Sequence, residues 1–328
     1  MIKIAVIGAG RIGQIHANNL HQNSQATLAY VSDVVSDAAT QLAKRTGAAV
    51  AEVSQILDDQ SVDAVVIASS TDTHATLVEQ AARAGKAIFC EKPLDLDINA
   101  ASQCVAVARE CGVLLSIGFN RRHDPTLGNL KTLIDAGQVG EVEVVSITSR
   151  DPAPPPVEYI ARSGGLFRDM MIHDFDMGRW LLGEEPIEVF ASGSALASEA
   201  IGAAGDIDTA VAVLKTASGR MCQITNSRRC SYGYDQRIEV FGARGMLRAG
   251  NVTKTQVEVA NEDGFTTEPV LPFFLERYAD AYRIQLERFL TRLAGGQSEL
   301  PDGNDGIAAL RLADAAQASL TSGQPVSL

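Results

Sequence analysis

The chain has 328 residues, 46% apolar and 21% charged, with a formal net charge of −12. That balance belongs to a globular protein rather than a disordered one, and an acidic surface without a basic, aromatic-laced stripe excludes nucleic acid as a partner. No apolar run reaches the ~18 residues that span a bilayer, so no membrane partner is expected.

Length suits two domains of about 150 residues each. The five cysteines (Cys90, Cys104, Cys111, Cys222 and Cys230) form no C-x-x-C pair, as expected of reduced thiols, and predict neither a disulfide framework nor a bound metal. Met1-Ile2-Lys3 enters an apparent strand without room for a signal peptide, so the expected location is cytoplasmic.

Residues 2–7 are an apolar run followed directly by Gly8-Ala9-Gly10-Arg11-Ile12-Gly13 and a helical pattern. A G-x-G-x-x-G between strand and helix is a dinucleotide fingerprint. The first glycine makes the tight turn, the second admits a pyrophosphate to the backbone, and the third lets helix and strand pack closely. Arg11 and Ile12 open the helix, whose N–H groups and positive dipole end suit a phosphate. A second strand over 27–32 ends at Asp33, 20 residues after Gly13, the spacing of a carboxylate that binds an adenosine ribose. Its charge repels a 2′-phosphate and no arginine stands in Val34-Val35-Ser36, so the expected cofactor is NAD rather than NADP.

Strand-like runs recur at 64–68, 87–90 and 113–118, with helical stretches at 75–84 and 100–111. This alternation predicts a doubly wound parallel sheet, whose ligands lie beyond the carboxyl ends of its strands. The residues there are Ser69 to His74, Glu91-Lys92-Pro93 and Asn120-Arg121-Arg122. Thr71, His74 and Glu91 join the candidate cofactor contacts, although Asp72 or Thr73 also suits a helix cap and His74 also suits a surface position. Lys92 follows a buried strand and precedes a proline that has no N–H, which aims its ammonium at the crevice where a nicotinamide lies.

The pattern changes near Phe119, so the expected division is 1–120 for a dinucleotide-binding domain and 121–328 for substrate binding and oligomerisation. After a helix over 127–136 come alternating runs at 141–148, 187–194, 209–216, 220–226, 237–241 and 256–260. They predict an open, largely antiparallel sheet with helices on one face and the other face free for self-association. The fold class is α/β: an N-terminal Rossmann domain followed by an α+β domain. Residues 151–156 are a stiff, extended proline-rich connection that reads either as a pocket wall or as a rigid linker, and two amphipathic helices, 275–293 and 305–320, close the chain.

Between two glycines and a third, residues 164–183 read as one apolar, buried helix carrying Asp169, His173 and Asp176 at i, i+4 and i+7. One reading is a core histidine held by its i−4 aspartate; the other is a histidine base whose tautomer that aspartate fixes. The rest of the chain favours the second. Oxidising a secondary alcohol requires the hydroxyl proton to leave as hydride moves to a nicotinamide. A neutral imidazole suits that task near pH 7, with Asp169 steadying the imidazolium and Lys92 the developing alkoxide.

The glycine fingerprint, Cys90-Glu91-Lys92-Pro93, Gly118-Phe119-Asn120-Arg121-Arg122, and Asp169-x-x-x-His173 followed by Asp176 resemble the glucose-fructose oxidoreductase, inositol dehydrogenase and MocA family over essentially the whole chain. Residues 169–176 and Tyr232-Gly233-Tyr234-Asp235 are most similar to its inositol 2-dehydrogenases. The resemblance implies Lys92, Asp169 and His173 as the catalytic trio and Arg121, Asp176 and Tyr234 as substrate contacts, with Asn120 beside them. It further implies homotetramers built through the open sheet. The implied substrate is a cyclic polyol, myo-inositol first, scyllo-inositol second and an aldose third. The rivals from other classes are a non-catalytic NAD sensor, for which the crevice residues are dispensable, and a metal hydrolase using His173, Asp174 and Asp176, which explains neither the glycine loop nor Lys92.

Overall fold

Short runs of β-branched residues separated by amphipathic helices fold here as the alternation demands. The computed structural model describes residues 1–328, apart from the side chain of Ala161. Strands β1 (Ile2–Ile7), β2 (Ala26–Ser32), β3 (Ala49–Val50), β4 (Ala64–Ile67), β5 (Ala87–Cys90) and β6 (Leu115–Ile117) form a parallel sheet in the order β3-β2-β1-β4-β5-β6. Helices α1 (Arg11–Gln22), α2 (Ser36–Thr46), α3 (Val53–Asp58), α4 (His74–Arg83) and α5 (Ile98–Glu110) connect them. The strand order reverses between β1 and β4, the switch point at which such sheets open a crevice. Register does the rest: Ile7 pairs with Ser32 and Ile67, Ile67 with Cys90, and Cys90 with Ile117. Gly8, Asp33, Ala68, Glu91 and Gly118 therefore all follow the last rung at one edge of the sheet.

The rest of the chain supplies α6 (Pro125–Asp135), β7 (Val142–Arg150), α7 (Val157–Ser163), α8 (Ile172–Leu182), β8 (Pro186–Ser194), α9 (Glu199–Ala203), β9 (Thr209–Thr216), β10 (Met221–Ser227), β11 (Asp235–Gly242), β12 (Gly245–Ala249), β13 (Glu258–Asn261), β14 (Gly264–Thr267), α10 (Phe274–Arg277), α11 (Ala279–Leu293), α12 (Gly303–Ser322) and β15 (Val326–Ser327). Seven strands form a mixed sheet, β12-β11-β7-β10-β9-β8-β15, antiparallel except where β7 runs parallel to β10. The run expected at 256–260 is instead β13, paired with β14 in a separate hairpin.

The chain divides into two compact units, Met1–His123 with Ala281–Leu310, and Asp124–Asp280 with Arg311–Leu328. A single cut after residue 120 assigns 281–310 to the second unit; in the structure Leu286, Phe289 and Leu290 of α11 join Val6, Leu28, Val66 and Phe89 in the core of the first. Burying those three side chains contributes roughly 1.5–3 kcal/mol each, enough to bind the segment to its sheet.

In the second unit α8 packs on β7 and β10. Gly178 allows the close approach, since a Cβ there would lie 3.0 Å from Cys222 Sγ and 3.3 Å from a Leu214 methyl. Asp174 then sets the helix rotation: it is fully buried and accepts from Ser149 Oγ at 2.6 Å and from Asn226 Nδ2 at 2.9 Å. Opposite lies an exposed apolar row. Met221, Val144, Phe241 and Met246 stand in register across β10, β7, β11 and β12, and Met221, Phe241 and Met246 are more than 40% exposed.

Candidate active site

The glycine loop of the first unit has the shape of a pyrophosphate cradle. Gly8 turns with φ +108°, and a Cβ on it would sit 2.4 Å from Ala68 O; a Cβ on Gly13 would sit 1.9 Å from Gly8 O. Neither position tolerates a side chain. Gly10, by contrast, faces open space, and it caps α1 without a side-chain hydrogen bond or an acid in the first turn. The first N–H groups of α1 are thus left for a ligand anion. Arg11 is exposed and Ile12 half-buried beside this opening. Asp33 stands next to it, accepting from Ala9 N at 2.6 Å and Val35 N at 2.8 Å. Those bonds fix the carboxylate at the end of β2 with further acceptor directions for a ribose diol. The residues present fit NAD. Asp33→Ser is expected to lower the NAD over NADP preference at least ~10-fold, by removing the charge that repels a 2′-phosphate; an unchanged ratio of kcat/KM values would show that another residue reads the ribose.

The other strand-end residues separate into two groups. Thr71 is half-buried in a short 3₁₀ turn, and Lys92 is half-buried at the end of β5, joined to Pro93 by a cis peptide bond. His74 is not a surface residue: it is 2% exposed, with Nδ1 2.8 Å from Pro93 O and Nε2 3.1 Å from Ser69 O. Burial pushes its pKa down against the pull of the two carbonyls, and the neutral ring donates its one N–H to the nearer of them, Pro93 O. Glu91 turns inward, with Oε1 2.7 Å from Nε2 of the fully buried His16 and its carboxylate filling the space a Gly118 side chain would need. A carboxylate only accepts, so His16 carries its proton on Nε2. Glu91 and His16 thereby clamp α1 to the strand end that carries Lys92. Asn120 and Arg121 are buried in a 3₁₀ turn that His123 anchors, Arg288 Nη1 donating to its Nδ1 at 3.1 Å. Burial and the cations Arg288 and Arg122 lower the His123 pKa to about 3, which keeps that ring a neutral acceptor.

In the second unit the proline-rich stretch does not lead straight to the Asp169 helix. Pro156 starts α7, Gly164 ends it in a left-handed conformation, and Phe167–Met171 form a π turn before α8. Such a turn inside a helical run widens the backbone locally and is frequent at functional sites. Asp169 lies in it, and His173 is half-buried in the first turn of α8, adjacent to the buried Asp174 that locks the helix to the sheet. Asp169 Oδ2 accepts from Arg228 Nη1 at 3.1 Å and Oδ1 from the Tyr159 hydroxyl at 2.9 Å. Neither partner is legible from the helix sequence. Asp176 is buried, with Arg179 Nη1 3.9 Å from its carboxylate.

Tyr234 is buried with its ring edge-on to Phe273 and Tyr278. The neighbouring Asp235 pins this segment, accepting from Tyr232 Oη at 2.6 Å, Arg237 Nε at 2.7 Å, Asn251 Nδ2 at 2.7 Å and Arg150 Nη1 at 3.0 Å. Burial opposes ionisation of Asp235, but these donors outweigh it and hold its pKa below the usual carboxylate value.

Two descriptions match the chain: an oxidoreductase family with an NAD-binding Rossmann fold over residues 2–119, and the C-terminal alpha/beta domain of the same family over residues 131–328. Inositol 2-dehydrogenase of Rhizobium meliloti (strain 1021) is 49% identical over 327 residues, covering 100% of this chain and 99% of the relative. Myo-inositol 2-dehydrogenase of Thermotoga maritima is 46% identical, covering 100% and 98%. The crystal structure of scyllo-inositol dehydrogenase from Lactobacillus casei, with bound NAD(H) and scyllo-inositol, superposes with a TM-score of 0.93 at 31% identity, covering 100% and 99%. Matched over both of its domains and along its whole length by such relatives, the chain belongs to the GFO/IDH/MocA oxidoreductase family and is an NAD-dependent enzyme.

Proposed function

We propose that the protein oxidises one secondary alcohol of a cyclic polyol to a ketone, with myo-inositol as substrate and 2-keto-myo-inositol as product. The reading is supported by the placement of Asp169 on the π turn and of His173 one helical turn later in α8, in a chain 49% identical to an inositol 2-dehydrogenase along its whole length. Bound NAD supplies the hydride acceptor. The glycine-loop N–H groups hold its pyrophosphate and Asp33 its ribose, with Arg11, Ile12, Thr71, His74 and Glu91 shaping that half of the site.

His173 takes the substrate hydroxyl proton onto its neutral imidazole. Asp169 orients the ring and stabilises the imidazolium once formed. Lys92 donates to the same oxygen and stabilises its negative charge as the carbon–hydrogen bond breaks. Asn120, Arg121, Asp176 and Tyr234 place the remaining hydroxyls; because all four are buried in well-tied segments, they select by shape and fixed donors rather than by rearrangement.

The experiment is a cofactor-reduction assay over myo-inositol, scyllo-inositol and aldoses. The reading expects kcat/KM highest for myo-inositol. A scyllo-inositol maximum favours the second reading, which the relative that binds scyllo-inositol supports. NAD binding without reduction by any polyol would leave a sensor.

The exposed row Met221, Val144, Phe241 and Met246 supports assembly as a homotetramer through the open sheet. Phe241→Glu with Met221→Glu is expected to cut the mass in light scattering by a factor of two or more, by placing unpaired charge in an apolar contact; an unchanged mass would remove the sheet from the interface. The five free thiols and the NAD requirement support a cytoplasmic location. No helix is long and apolar enough to cross a membrane among the described residues.

A further inference from the structure

Arg228 follows β10 directly and is 1% exposed, among the largest fully buried side chains of the protein. Its backbone is immobilised: Arg228 N donates to Asp208 O at 2.8 Å, and the Asp208 carboxylate in turn accepts the N–H groups of Leu196, Ala197 and Ser198 at 2.8 Å each. The guanidinium donates through Nη1 to Asp169, while Nε and Nη2 are buried without a hydrogen-bond partner. A buried cation that leaves two donors unsatisfied is a poor device for stability, since an apolar side chain of similar volume fills such a space without stranded polar atoms. What the arrangement does achieve is local. Arg228 takes one oxygen of Asp169 and Tyr159 the other, which fixes the plane of the carboxylate and leaves its further acceptor directions in a set orientation.

We propose that Arg228 is a positioning residue for alcohol oxidation: it acts through Asp169, holding that carboxylate in the one rotamer that orients His173. This rests on the reading that Asp169 serves His173. The guanidinium touches neither the reacting carbon nor the cofactor in this scheme. Its effect falls on the proton-transfer step and not on the affinity of either ligand.

The test is a double-mutant cycle with Arg228→Met, Asp169→Asn and the combined variant, alongside Arg228→Lys. It is read by kcat and KM for myo-inositol, by fluorescence titration of NADH binding and by thermal melting. Arg228→Met is expected to lower kcat ~10²-fold, the scale of a misplaced catalytic group, with KM and NADH affinity changed less than about threefold. Arg228→Lys, which keeps the charge, is expected to return kcat to within ~10-fold of the parent. The double variant is expected to match Asp169→Asn, since two residues acting through one function do not lose it twice. If Arg228→Met alone does not fold, the comparison of Asp169→Asn with the double variant, in which no charge is stranded, decides the matter. A parental kcat in Arg228→Met, or a double variant ~10-fold or more below Asp169→Asn, would overturn the proposal. A parental kcat in Asp169→Asn would instead overturn the role of Asp169 itself, and this proposal with it.

Discussion

His173→Ala is expected to lower kcat by ~10²–10⁴-fold while leaving NADH affinity within about twofold of the parent, because general-base catalysis is lost and the cofactor cradle is not touched. The residues proposed to hold the cofactor, Gly8, Gly10, Gly13 and Asp33, belong to the first unit, whereas His173 sits on α8 in the second. The fold survives the substitution for a definite reason. The residue that locks α8 to its sheet is Asp174, through Ser149 and Asn226, and His173 is only half-buried beside it. Steady-state kinetics and a fluorescence titration check both halves of the expectation. Turnover like that of the parent would remove His173 from the base role.

Lys92→Met is expected to lower kcat by ~10²–10³-fold, the cost of removing one donor aimed at a developing oxyanion. Methionine keeps the length and apolar stem, and the segment stays pinned by His74 on Pro93 O and by the Glu91–His16 pair. NADH binding is therefore expected to persist, and KM for the polyol to rise less than kcat falls. A variant that loses only KM would make Lys92 a substrate anchor, not a stabiliser of the alkoxide.

Legibility in the sequence follows the range of the interactions involved. The glycine turn, the place of Asp33 at the end of β2 and the βαβ alternation are readable because each depends on residues close in the chain; five of the six strands of the first sheet fall on the apolar runs, and the two-residue β3 does not. The second unit was readable as a mostly antiparallel sheet covered by helices, but α7 and the π turn were not. Residues 164–183 look continuous by apolar spacing, and only Gly164 and Gly165, both at positive φ, mark the stop before Asp169.

Tyr159 lies on α7, between the proline-rich connection and Gly164, where no apolar period marks a helix. Arg228 lies 59 positions from Asp169, and no local pattern announces that pairing. His16 lies three residues past Gly13 without a local signal of its own, because its burial against Glu91 depends on how α1 meets β5. The membership of 281–310 in the first unit likewise follows from which apolar face finds which core, which periodicity alone does not specify.

The most direct measurement of hydride transfer from the polyol uses myo-inositol deuterated at C2, with NAD and the full-length protein, and analyses the reduced cofactor by mass spectrometry. The account predicts reduced cofactor carrying one deuterium and a ketone lacking it. No reduction, or cofactor reduced without deuterium, would contradict oxidation at that carbon.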